Sequence, residues 1–153
     1  MKKILKQMTR LNNWRVSTAI IHDAIAAVFA WVLAFALRFN FNIPPEFVVS
    51  LQHVLFWAVP LQLFFFFQFG LYKGVWRFAS LPDLQRILAA IVSSTFVIGL
   101  LLLVIRPTAA VPKSVVLIVP LILVLWLGGS RFLYRVWKDF KMYGRNHLRG
   151  KPV

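Results

Sequence analysis

Cysteine is absent from this chain of 153 residues, so no disulfide, thiolate metal site or redox pair is available to it. Acid is almost as scarce. Asp23, Glu46, Asp83 and Asp139 are the only carboxylate side chains, and they fall in different segments, so no two share a site for general acid–base work. The histidines, His22, His53 and His147, show no HxxxH or HxxE spacing, which leaves no set of metal ligands. His22 adjoins Asp23 and on a helix points about 100° away from it. Gly128-Gly129 lacks the further glycine, the Lys-Ser/Thr ending and the preceding strand of a phosphate loop; a close helix contact is expected there instead. No catalytic, cofactor-binding or metal-binding residue is assigned.

What the chain has in excess is apolar length. Hydrophobic residues make up 60% of it, against about 45–50% in a soluble domain, and mean hydropathy is +0.75. The excess is gathered into four runs, Ile20 to Leu37, Val48 to Phe69, Ile87 to Ile105 and Val115 to Leu127. A helix needs about 20 mostly apolar residues to cross a bilayer. Three runs meet this directly. The fourth does so once it extends to Leu133, with Arg131 snorkelling to the headgroups. The expected fold class is all-α, a four-transmembrane-helix bundle followed by an amphipathic interfacial helix. Residues 1–15 form a basic N-terminus, 16–133 the membrane domain, and 134–153 the amphipathic helix and a linker toward a cytosolic domain. Ala34-Phe35-Ala36 resembles a signal-peptidase site, but Ala34 belongs to a packing stripe, so the first helix is expected to stay uncleaved.

The net charge of +14 would point to nucleic acid in a soluble protein; its distribution here points to topology. Fifteen of the 18 basic residues lie in the N-terminal segment, the second connection and the C-terminal tail. Arg38, Arg106 and Lys113 alone lie in the other two connections. By the positive-inside rule both termini face the cytosol, and the basic clusters have anionic headgroups, not nucleic acid, as their partner.

Asp23, Ala26, Ala27, Ala30 and Ala34 fall on one stripe of the first helix. Small residues at this spacing let membrane helices approach closely, so Asp23 points into the bundle, where Arg131 or Arg86 is the cation expected at its depth, Arg131 being favoured because Gly128-Gly129 permits close approach. Pro60 and Pro120 lie inside spans and are expected to kink them mildly. Ser93-Ser94-Thr95 are expected to bond back to their own helix. No polar group is otherwise expected at mid-membrane depth, where transport sites lie.

The second connection holds Tyr72, Lys73, Trp76 and Arg77, residue types that anchor at the headgroup level. Ser80 then reads as an N-cap, with Pro82 in the first turn and Asp83 closing a capping box. Beyond the fourth span, Leu133, Val136, Trp137, Phe140 and Tyr143 gather on one side of a helix, with Arg131, Arg135, Lys138 and Lys141 mostly on the other. This is an interfacial pattern with Gly144 as its expected stop.

Three stretches carry a family resemblance. GLYKGVWRFASLPDLQRI (Gly70 to Ile87) resembles the inner-loop signature of membrane-bound bacterial nucleotide-sugar dehydratases and epimerases of surface-polysaccharide synthesis. VPKSVVLIVPLILVLWLGGSRFLYR (Val111 to Arg135) is similar to that family's fourth span, and ALRF (Ala36 to Phe39) to the end of its first. The resemblance implies a bacterial cytoplasmic membrane location. It also implies a partner: a cytosolic NAD-binding short-chain dehydrogenase-type domain that dehydrates a UDP-N-acetylhexosamine across C4 to C6. A homo-oligomer is compatible with it. The glycine-rich turn and the catalytic acid, lysine and hydroxyl of that domain have no counterpart before Gly150-Lys151-Pro152-Val153. The expectation is therefore an anchoring domain that is not itself an enzyme, with NAD bound only by the catalytic domain. Two alternatives stand beside it: the membrane region of a polyprenyl-phosphate sugar phosphotransferase, and a small transporter or flippase accessory protein.

Overall fold

The computed structural model describes residues 2–73, 81–105 and 111–147, with side chains over 13–73, 82–104 and 111–141. Trp76, Arg77 and Ser80, named above as anchors and cap, lie outside the described residues.

The chain is an all-α four-helix bundle. Helix α1 runs over Lys2–Arg38, α2 over Pro45–Gln68, α3 over Leu81–Ile105 and α4 over Lys113–Leu123. A π-helical turn at Val124–Gly128 joins α4 without a break to α5, Gly129–His147. Four segments are long and apolar enough to cross a membrane: Asn13–Arg38, Pro45–Gln68, Pro82–Val104 and Lys113–Lys141. This is a multi-pass membrane protein. Large apolar side chains such as Phe56, Leu103, Leu121 and Leu125 face outward around the bundle. In water this would be an outsized sticky surface; in lipid it is the solvated face.

Why these residues form these elements follows from their ends. Pro44 and Pro45 open α2, where a missing N–H costs nothing. Asn40 and Phe41 take positive φ at the close of α1, and the Phe41 N–H donates to the Ala36 carbonyl at 2.7 Å. At the end of α2, Gly70 adopts φ +74. Its N–H donates to Phe67 O at 3.0 Å, and that of Leu71 to Phe66 O at 3.1 Å. That pair of bonds is the Schellman closure, which needs a left-handed residue at the position Gly70 holds.

The helices pack as a ring: α1 lies between α2 and α4, and α3 between α2 and α4 on the far side. The α1 stripe is fully enclosed, with Ala26, Ala27, Ala30 and Ala34 each at 0% exposure. Without backbone-near side chains in the way, α4 brings Val115, Val119, Leu123 and Leu127 into the same core. Those four repeat every fourth residue, and such a row drifts by about 40° per step on a helix of 3.6 residues per turn. The π turn, with its wider i→i+5 rung, takes up part of the drift and holds Leu127 and Arg131 on the inner side.

Two expectations are corrected here. Gly144 does not stop α5, which continues to His147; glycine in a helix costs only about 1 kcal/mol against alanine, too little to end one by itself. Nor do Gly128 and Gly129 mark a close approach to α1. A β-carbon on Gly128 would meet Leu84 of α3 at an ordinary 3.7 Å, and one on Gly129 would meet nothing within 4 Å.

Candidate functional site: a buried carboxylate at the helix ends

Asp23 is the most enclosed charged residue of the described set, 2% exposed. The alanine stripe turns it inward, and three groups from three directions surround it. Arg131, at the start of α5, places Nη2 at 4.0 Å from Asp23 Oδ2, with its side chain 20% exposed. That is an ion pair at its outer limit, not a hydrogen bond, and Oδ2 makes no hydrogen bond. His22 Nδ1 lies 3.1 Å from Oδ1. The adjacent ring, expected to point away, reaches back across one residue to the carboxylate.

Tyr72 supplies the third group. The Schellman closure at Gly70 reverses the chain, and a turn from Lys73 N–H to Gly70 O at 3.1 Å follows. Between them the phenol is directed back toward the bundle. Its hydroxyl is buried without a regular hydrogen bond. Burial raises its pKa far above the ordinary tyrosine range, the neighbouring Asp23 carboxylate adds to the shift, and Arg131 works against it. The phenol stays neutral at any ordinary pH. Its hydroxyl senses both Asp23 and Arg131, and Lys73, beside it, is exposed.

Arg86, the other cation considered for Asp23, is elsewhere. Its Nη1 lies 3.8 Å from Asp83 Oδ1 one turn back on α3, and its side chain is half exposed. A partner on its own helix is within reach of a long side chain that need not enter the core. Asp83 is thereby engaged by Arg86, and the proposed capping role with Ser80 lies outside the described residues.

A second polar contact was not anticipated. Trp31 Nε1 donates to Gln62 Oε1 at 3.2 Å, and both residues are almost wholly buried. Trp31 lies two turns beyond Asp23, about 12 Å deeper, which places the pair near mid-membrane depth. The expectation of no polar group there is corrected by it. Gln62 Nε2 makes no hydrogen bond. The pair joins α1 to α2 as a single interhelical hydrogen bond, a common device where lipid offers no partner. Of the hydroxyls expected to bond back, Ser94 donates to Ile91 O at 3.0 Å, while Thr95 Oγ1 is buried without a partner.

Among the described residues no group of three or more His, Cys, Asp or Glu side chains is placed to hold a metal ion. A carboxylate with a guanidinium, an imidazole and a neutral phenol around it gathers α1, the chain just beyond α2 and the start of α5 at one end of the bundle. No protein-family model matches the chain, and neither a curated protein nor a solved structure is significantly similar to it.

Proposed function

We propose that this chain is the membrane-anchoring domain of a nucleotide-sugar dehydratase or epimerase system of bacterial surface-polysaccharide synthesis, seated in the cytoplasmic membrane with both termini cytosolic. The observation that carries the anchoring role is the fourth span. It continues without a break from Lys113 to His147, about 52 Å, where the hydrocarbon core takes roughly 30 Å. The surplus is a basic amphipathic helix. It exposes Leu133, Trp137 and Phe140, with the Lys141 ammonium 5.3 Å from the Trp137 ring centre. Such a helix holds a catalytic domain, on the same or another polypeptide, at a fixed distance from anionic headgroups. The sequence likeness of Gly70 to Ile87 and Val111 to Arg135 supplies the choice of enzyme system; NAD and the UDP-sugar belong to the catalytic domain.

Two measurements test the reading. Green fluorescent protein fused after Val153 should fluoresce, and alkaline phosphatase inserted at 40–44 should be active. The purified chain in nanodiscs should neither bind NAD by calorimetry nor dehydrate UDP-N-acetylglucosamine. A periplasmic C-terminus, or turnover by this polypeptide alone, would sink it.

A further inference from the structure

Helices α3 and α4 line an open groove of ≈930 Å³ on the bundle's lipid-facing side, near the upper end of the range of about 300–1,000 Å³ typical of small-molecule sites. Thr95, Gly99 and Leu103 line it from α3, and Lys113, Leu117 and Pro120 from α4. The lining is apolar except for Thr95, one turn short of the inner end at Val92, and Lys113 at the mouth. Gly99 keeps the floor low. A β-carbon there would meet only Val116, at 3.8 Å, so bulk is missing here without any need of helix contact. Among the described residues no hydrogen bond or ion pair joins α3 to α4 across it.

We propose that this groove is a binding site for one anionic phospholipid, its chains lying between α3 and α4 and its phosphate on the Lys113 ammonium. Depth selects a lipid. From Leu103 to Val92 the α3 wall is about 16 Å long at 1.5 Å per residue, half of a hydrocarbon core of roughly 30 Å. The site therefore runs from one headgroup layer to the bilayer centre, the reach of a single leaflet. Charge selects the headgroup. Lys113 is exposed at the mouth, no acid lies between it and the end of α3, and Glu46, the acid at this end of the bundle, opens α2, which does not pack against α4. A void in hydrocarbon surroundings costs dispersion contacts on every wall, so chains resident in the groove complete the packing that α3 and α4 leave undone. This site is independent of the anchoring role proposed above and lies at the opposite end of the bundle from Asp23.

The test uses the full chain in phosphatidylcholine vesicles containing a trace of spin-labelled phosphatidylglycerol or spin-labelled phosphatidylcholine, read as the motionally restricted fraction. The wild type should restrict phosphatidylglycerol preferentially. Lys113→Gln should lower that preference about fivefold, the effect of one basic side chain near a lipid surface, with unchanged helical content and melting. Gly99→Leu, which fills the floor, should remove about one restricted lipid of either kind per chain, whereas Gly99→Ala should keep it. Equal restriction of the two lipids by the wild type overturns the proposal, as does a preference that survives Lys113→Gln. Because the chain has no cysteine, Leu100→Cys is a clean probe of the remaining occupant. Efficient disulfide formation between copies at high lipid dilution would mean that a second chain fills the groove, and would overturn the proposal as well.

Discussion

Asp23 and Arg131 stand 108 positions apart in sequence and face each other at 4.0 Å, Oδ2 to Nη2, one from the first helix and one from the last. The pair closes the bundle between its first and final elements. Breaking a buried pair by removing one partner costs about 3–5 kcal/mol, because the other charge is left stranded. Arg131 retains some exposure, so Asp23→Ala should cost no more than about 3 kcal/mol, the low end of that range. It should lower the melting temperature in detergent, and adding Arg131→Met should recover part of the loss. Strict additivity of the two changes would show that the charges do not interact.

Tyr72 gives a pH-dependent expectation. An acid whose folded-state pKa is raised keeps its proton after the unfolded chain has lost its own. The contribution is therefore complete below about pH 10, the ordinary tyrosine value, and falls as pH climbs beyond it. Wild type should lose stability more steeply than Tyr72→Phe above that pH. Difference absorbance at 295 nm between the two should show Tyr72 ionising only as the helical signal is lost. At neutral pH, Tyr72→Phe should be close to neutral or stabilising, because it removes a buried hydroxyl that has no regular hydrogen bond.

Gly70 sets the direction in which Tyr72 leaves α2. A β-carbon in the left-handed region costs about 1–2 kcal/mol, so Gly70→Ala should destabilise by that amount. Asn, which tolerates the conformation better, should cost less. Equal melting of the alanine and wild-type proteins would mean that the closure is not fixed in the membrane.

For Trp31 and Gln62, single changes strand a buried partner and the double change does not. Interhelical hydrogen bonds of this kind average about 0.6 kcal/mol. Gln62→Leu should therefore cost about that much, with Trp31→Phe similar. Combining them should be less damaging than the sum, measured by reversible unfolding in mixed micelles.

Spans and stripes were legible because they are repetitive: Ala26, Ala30 and Ala34 announce a packed face, and the apolar runs announce crossings. The inward direction of Asp23 followed from that stripe. The preference for Arg131 over Arg86 agrees with the pair at 4.0 Å, but its reason does not hold, since Gly128 and Gly129 make no close contact and it is the ring of helices that separates the two cations. That Tyr72 would come beside Asp23 was not legible, because its orientation depends on a left-handed turn two residues earlier. The Gly-Leu-Tyr sequence after an apolar run was the available clue. Gln62 was passed over because a lone amide hardly changes the hydropathy of its neighbours. The π turn left no trace in hydropathy at all, being a change of hydrogen-bond rung rather than of composition.

That turn also fixes an azimuth. Each residue added to or removed from a helix turns everything beyond it by about 100°, and Val124–Gly128 lies between the membrane-embedded α4 and the emerging α5. Wound as plain α-helix at unchanged length, the same five residues would turn further and swing α5 about its own axis by roughly a quarter turn while leaving α4 seated. Arg131 would turn from Asp23, and the Leu133, Trp137 and Phe140 stripe would face a different quarter of the membrane surface. The compass bearing of whatever α5 carries is thus written in the winding of one short turn, not in the strength of any contact.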